Sequence, residues 1–173
     1  MEENRNENVQ QEVENLSEIL QIRRDKLAAL KEAGNDPFEK VKYDRNAYSQ
    51  DIKDNYADYE GKTVGIAGRL VSKRVMGKAS FYHIQDMQGK LQAYIKRDDV
   101  GEESYKDFKT YDIGDIVGIE GTLFVTHTGE LSVKANHYEH LTKALRPLPE
   151  KFHGLTDVEE RYRRRYLDLI MNE

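Results

Sequence analysis

At Thr63 the spacing of apolar residues changes from three or four to two, and nothing else in the chain constrains the fold as tightly. Upstream, Leu16, Ile19, Leu20, Arg23, Leu27 and Leu30 share one helical face, with Ala28, Ala29 and Ala33 filling in. Asn15 or Ser17 can cap its start, and Gly34, Asn35 and Pro37 stop it. Arg24, Lys26 and Lys31 fall on the other face and read as solvated. Residues 1–14 are rich in Asn, Glu and Gln and are expected to be disordered or frayed. The turn at 35–38 can tuck Phe38 into a core, and a short second helix is expected over 49–59, ending at Gly61.

Downstream of Thr63 the alternation predicts strands over 63 onward, 80–85, 90–96, 115–125 and 130–141. Val64, Ile66, Gly68 and Leu70 share one side of the first strand. Gly65 and Gly68 are expected to permit the bend that a long barrel strand needs. Gln88-Gly89 and Thr128-Gly129 mark turns. Residues 102–111 read as a short helix with Tyr105, Phe108 and Tyr111 inward. The order β-β-β-α-β-β predicts a mainly β protein built on a five-stranded OB-fold barrel, preceded by N-terminal helices. Pro147 and Pro149 then withdraw two ladder donors, so 145–156 reads as a stiff linker. A final helix runs from an Asp157 cap to Met171.

The chain is acidic, with a net charge of −5, yet residues 62–97 carry eight Lys/Arg against one acid, Asp86, a local balance of +7. Side-chain parity gives that basic sheet a face. If Tyr82 and Ile84 point inward, Phe81, His83 and Gln85 point out. If Leu91, Ala93 and Ile95 are inside, Gln92, Tyr94 and Lys96 are outside. On the last strand Glu130, Ser132 and Lys134 are outside. An outward Phe81 forgoes roughly 1.5–3 kcal/mol of burial, which points to a partner that covers it. A nucleic-acid base stacked on the ring is the simplest one. Gln92 offers a donor and an acceptor that suit the edge of uracil. Lys73, Arg74, Lys78 and Lys96 can neutralise phosphates. Glu130 can only accept, so it would read base N–H groups.

Other chemistries find little support. There is no cysteine, hence no disulfide, thiolate zinc site or Cys nucleophile. The five histidines do not fall at metal-ligand spacing, and His137 and His140 would face opposite sides of a strand. No Gly-rich phosphate loop and no nucleophile–base set occurs, so catalysis by this chain alone is not expected. No apolar run is long enough to span a membrane, and the N-terminus lacks a signal-peptide pattern, so a cytoplasmic location without membrane attachment is expected.

Gly68-Arg69, followed by Arg74-Val75-Met76-Gly77-Lys78-Ala79-Ser80-Phe81, resembles the anticodon-binding domain of bacterial lysyl-tRNA synthetases. So does the tail: LTKALRPLPEKFHGL over 141–155 and RYRRRYLDLI over 161–170. The resemblance covers roughly residues 15–173. It implies a class II aminoacyl-tRNA synthetase that joins lysine to tRNA with ATP and Mg2+ and forms a homodimer, mainly through its catalytic domain. Its N-terminal OB domain reads the U-rich lysine anticodon. By motif position Phe81 is the residue that stacks on an anticodon base, Gln92 and Arg74 are the contacts to the central uracil, and Glu130 is the contact near the first base. Arg69 occupies a basic strand-one position of related domains.

The implied division is a tail (1–14), a helical extension (15–60), the OB domain (61–144), the linker (145–156) and the first helix of a catalytic domain (157–173). The class II motifs themselves do not occur in these residues. The segment is therefore expected to need no cofactor and to be inactive alone. A general single-strand-binding OB protein and a protein-interaction module are the alternatives left open by the residues themselves.

Overall fold

The computed structural model describes residues 2–149, 155 and 157–172, and of residues 2–13 the backbone only. Helix α1 spans Glu2–Glu32. It therefore begins well before Leu16, and residues 2–14 are helical rather than frayed. No Gly or Pro precedes Gly34, Glu and Gln are good helix formers, and acids at the start complement the helix dipole. Gly34 ends the helix at φ +72°, and the Asn35 N–H donates back to the Leu30 carbonyl at 2.8 Å.

Arg23, on the same face as Leu20 and Leu27, is only 8% exposed. Its guanidinium donates to the carbonyls of Ala144 (2.9 Å), Arg146 (3.1 Å) and Ile113 (3.1 Å). Lys26, expected on a solvated face, instead donates to the Thr110 carbonyl at 3.0 Å and to Asp112 at 2.7 Å. Two cations thus fasten α1 to the rest of the molecule, beside partly buried Leu20, Leu27 and Leu30. Leu16, Ile19 and Ile22 remain largely exposed.

The turn Pro37–Glu39 is capped by Asp36, which accepts from the Phe38 N–H. It buries Pro37 and leaves Phe38 47% exposed, the reverse of the expected tuck. The expected helix over 49–59 breaks at Asn55 into α2 (Ser49–Asp54) and α3 (Tyr56–Tyr59). The start of α2 is tied to the sheet by Asp86. Its carboxylate accepts from the Ser49 N–H (2.6 Å) and hydroxyl (2.7 Å), and from the N–H groups of Gln88 (2.8 Å) and Gly89 (3.0 Å).

The strands are β1 (Thr63–Met76), β2 (Ala79–Gln85), β3 (Lys90–Lys96), β4 (Ile116–Val125) and β5 (Leu131–Thr142). They close into a barrel in the order β1-β2-β3-β5-β4, with β4 back against β1. All pairings are antiparallel except β3 with β5. This is the OB barrel that the strand order predicts. Between β3 and β4 lie α4 (Arg97–Val100) and α5 (Glu102–Thr110). Tyr105, Phe108 and the following Tyr111 are buried, and Phe108 meets the Tyr82 ring edge-on at 4.6 Å, so α5 plugs one mouth of the barrel. Val64, Ile66, Leu70, Ile84, Leu91, Ile95, Ile119 and Val133 fill the interior at 1% exposure or less.

Long β1 serves two partners, pairing with β4 through Arg69 and with β2 from Arg69 onward. The ladder shifts register between Leu70 and Ser72, so Val71 is an extra residue. Even-numbered positions of β1 point inward before this bulge and outward after it. Gly68 is required where β1 bends: a Cβ there would lie 2.4 Å from the Gln85 carbonyl oxygen. At Gly65 the nearest atom would be 3.6 Å away, so that glycine is not needed for the bend. The tightest approach is Gly121, where a Cβ would meet the Lys134 carbonyl oxygen at 2.0 Å, beside the β4–β5 register shift. Gly121→Ala is expected to destabilise the barrel by about 2–4 kcal/mol, at or above the usual range for overpacking, because backbone must move. Gly65→Ala is expected to be nearly neutral. Urea unfolding of both variants checks the contrast.

The expected final helix is interrupted at Arg164, giving α6 (Val158–Arg163) and α7 (Arg165–Met171). Asp157 caps α6 by accepting from the Glu160 N–H at 2.8 Å. Asp168, 5% exposed, accepts from Arg161 (2.7 Å) and Arg165 (2.6 Å). Of the expected linker, 150–154 and 156 lie outside the described residues, as do the first and last residues of the chain. Among the described residues no helix is long and apolar enough to cross a membrane.

Candidate nucleic-acid interface

On the outer face of β1, β2 and β3, beside the β4–β5 turn, lies an open cavity of about 500 Å³. Its lining includes Arg74, Phe81, His83, Gln92, Thr128 and Glu130. Register explains the convergence. Arg74 faces Phe81 across β1–β2, and His83 faces Gln92 across β2–β3. Gln92 faces Ser132 across the parallel β3–β5 pair. Glu130 stands just before β5 and reaches back over the sheet.

Phe81 is half-buried, with its centroid 5.0 Å from that of Tyr94, whose ring in turn lies 5.6 Å from Phe124. The outward aromatic is therefore the end of a row crossing β2, β3 and β4. Parity placed Tyr94 outside, but the contribution of Phe124 was missed. Its alternation against Leu123 was the available signal.

Below the row runs a chain of hydrogen bonds. The Ser72 hydroxyl meets His83 Nδ1 at 2.7 Å, and His83 Nε2 meets Glu130 Oε1 at 2.8 Å. Gln92 Nε2 donates to Glu130 Oε2 at 2.8 Å, and the Ser132 hydroxyl donates to Gln92 Oε1 at 2.8 Å. These bonds fix the amide orientation of Gln92: its nitrogen faces the carboxylate and its oxygen faces the hydroxyl. Gln92 points away from the barrel interior, as parity requires, yet is only 8% exposed because Glu130 and Ser132 flank it. Ser72, His83 and Ser132 are parts of this floor that sequence reasoning did not assign.

The expected basic residues divide. Arg74 and Lys78 are exposed on the β1–β2 ribbon. Lys96 stands 3.3 Å from Asp98 and 42% exposed. Lys73 is turned toward α5, where its ammonium donates to the carbonyls of Lys109 and Tyr111, the latter at 2.8 Å. Burial there holds its pKa below the ordinary lysine value. Lys73 still lines the cavity, with its ammonium bonded to those two carbonyls. Arg69 is not brought to the cavity. It donates to the Gly114 carbonyl at 2.8 Å and lines a separate cavity with Ala144, Pro147 and Leu167. The bulge at Val71 turns Lys73 toward α5, while Arg69, which precedes the bulge, is held on another wall by the Gly114 carbonyl.

The family model for the tRNA anticodon OB-fold nucleic acid binding domain matches residues 64–141, that is, the barrel and its outer face. The chain is 54% identical over 167 residues to a lysine–tRNA ligase of Streptococcus pneumoniae (strain Hungary19A-6), covering 92% of this chain and 34% of that protein. It is 53% identical over 160 residues to a lysine–tRNA ligase of Clostridium botulinum (strain Langeland), covering 92% of this chain and 32% of that protein. The chain thus spans about a third of the length of the curated relatives it matches. With the closed five-stranded barrel and its aromatic, amide-bearing outer face, residues 64–141 are an OB-fold domain of the tRNA anticodon-binding family.

Proposed function

We propose that this chain is the anticodon-reading part of a lysine–tRNA ligase and that the cavity over β1–β3 receives the lysine anticodon. The observation that carries this reading is the pairing of the Phe81 ring with the fixed Gln92–Glu130 edge in one cavity. Uracil presents two carbonyl acceptors flanking an N3–H donor. Gln92 Nε2 has a second N–H to give to one carbonyl of the central uracil and Arg74 can donate to the other, while Glu130 can accept from the N3–H of the first anticodon base. Cytosine would set a bare N3 against the carboxylate, an unpaired contact that costs roughly 1–3 kcal/mol. Phe81 stacks on whichever base enters, Arg74 and Lys78 hold the backbone, and Lys96 extends that basic margin.

In this reading residues 15–60 are a helical extension, 61–144 the reader, 145–156 a linker and 157–173, which carries α6 and α7, the start of a further domain. That domain belongs to a class II enzyme that forms lysyl-adenylate from ATP with Mg2+ in a cytoplasmic homodimer. Among the described residues no group of three or more His, Asp or Glu side chains is placed to hold a metal ion. By itself it binds RNA and does not activate lysine.

Titration against a lysine anticodon stem-loop and an anticodon-swapped one tests the reading. The wild-type chain is expected to prefer the U-rich loop, and equal affinity for unrelated single strands would replace this reading with general single-strand binding. If Arg74 and Lys78 neutralise phosphates, affinity falls with salt, and Arg74→Ala together with Lys78→Ala reduces the slope of log K against log [salt] by about 1–1.5, at roughly 0.7 per single-strand phosphate. An unchanged slope assigns those residues no phosphate.

A further inference from the structure

Building on the base-reading role, we infer that His83 is a positioning residue that sets uracil selectivity by holding the Glu130 carboxylate. Glu130 sits beside a turn, its side chain is 46% exposed, and its only support from its own turn is through the backbone: the Glu130 N–H donates to the Thr126 hydroxyl at 3.0 Å. A carboxylate on such a mount has several rotamers open to it, and a reader needs one. Two side chains choose it. Gln92 takes Oε2, and His83, from the neighbouring strand, takes Oε1, each at 2.8 Å.

The imidazole is itself fixed. A carboxylate only accepts, so His83 Nε2 carries the hydrogen. In the neutral ring Nδ1 is then an acceptor, and the Ser72 hydroxyl 2.7 Å away donates to it. Ser72 can face His83 because the extra residue Val71 turns even-numbered side chains of β1 outward at that point. The result is a five-member relay, Ser72–His83–Glu130–Gln92–Ser132, that crosses four strands and leaves the acceptor lone pairs of Glu130 facing the cavity. Neither the ring nor the hydroxyl has to touch the RNA for this to matter. Without His83 the carboxylate loses one of its two anchors, and its discrimination between a base N–H and a bare ring nitrogen is blurred. Stacking on Phe81 is untouched.

The test compares wild type with His83→Asn, His83→Gln, Glu130→Gln and the double variant His83→Asn/Glu130→Gln. Each is titrated by fluorescence anisotropy against a lysine anticodon stem-loop and one with cytosine at the first anticodon position, with a thermal melt alongside. Asparagine keeps a polar group near Nδ1 but is too short to reach Glu130, whereas glutamine places an N–H near the position of Nε2. His83→Asn is expected to lower the uracil-to-cytosine affinity ratio by about ten-fold, the effect of losing one hydrogen bond to a charged group. His83→Gln is expected to restore most of the ratio. In the Glu130→Gln background, His83→Asn is expected to have no further effect on it.

Loss of thermal stability with an unchanged ratio in both His83 variants overturns the inference, because His83 is then only structural. A further ratio change in the Glu130→Gln background also overturns it, because His83 then acts on the base directly. Absence of any uracil preference in the wild-type chain removes the base-reading function itself, and this inference with it.

Discussion

Phe81→Ala is expected to weaken binding of the lysine anticodon stem-loop by about 1–3 kcal/mol, roughly five- to more than a hundred-fold in Kd. The magnitude is that of one base losing its aromatic platform. The ring forms part of the cavity wall, and its aromatic neighbour Tyr94 lies to one side, so truncation leaves the hydrogen-bonded floor in place. The cost to folding is expected to be smaller, because a half-exposed aromatic pair adds about 0.5–1.5 kcal/mol beyond its buried area. Affinity and stability are therefore expected to separate. Cognate and swapped stem-loops should weaken together, since stacking does not choose among bases. Calorimetric titration beside a melting curve measures both quantities. Unchanged affinity in a folded Phe81→Ala chain would remove the ring from the binding site.

The largest effect on stability is expected at Asp115, just before β4. Asp115 is fully buried and accepts from Lys143 Nζ at 2.9 and 3.0 Å, from the Ala144 N–H at 2.8 Å and from the Asp112 N–H at 2.9 Å. His140 Nε2 lies 3.1 Å away. Asp115→Ala leaves the 1%-exposed Lys143 side chain with Asp112 alone and frees two backbone N–H groups, a loss of about 3–5 kcal/mol. Lys143→Met is expected to cost less, because Asp115 keeps its two backbone donors and Asp112 keeps Lys26. Urea unfolding checks the order, and a larger loss in Lys143→Met would contradict it.

The same carboxylate gives the fold an acid limit. Burial alone would raise its pKa, but His140, the Asp112 and Ala144 N–H groups and Lys143 outweigh burial and hold it at about 2, below the ordinary 3.8. A depressed pKa means the unfolded chain takes up the proton first. The contribution is thus complete above the unfolded value and is lost as pH falls from about 4 toward 2. Asp115→Asn is expected to flatten that part of the stability profile.

Strand limits, inward residues and the outward placement of Phe81, Gln92 and Glu130 were legible because a period of two is a local property that every residue reports. What stayed hidden depends on events between strands. The bulge at Val71 carries no glycine, so nothing in Leu70-Val71-Ser72 announces that parity reverses there and that Lys73 turns toward α5. The docking of α1 was hidden for a related reason. Arg23 read as part of the apolar face and Lys26 as a solvated cation until the folded chain supplies four carbonyls and Asp112 for them to meet. His83 was visible as an outward histidine, but its purpose needed the turn that brings Glu130 over β2.

Closure of the barrel has a kinetic meaning as well. The pairings of β1 with β4 and of β3 with β5 match Arg69 with Ile116 and Gln92 with Ser132, contacts between parts of the chain far apart in sequence. Such contacts carry the full entropy of loop closure and form slowly compared with the β1–β2–β3 meander. The meander alone presents the Phe81 ring and the Gln92 amide, but Glu130 and Ser132 arrive only with β5. On the proposed reading, a chain emerging during synthesis would offer a base a surface to lie on well before it could tell one base from another, and selectivity would be acquired when the last strand seats.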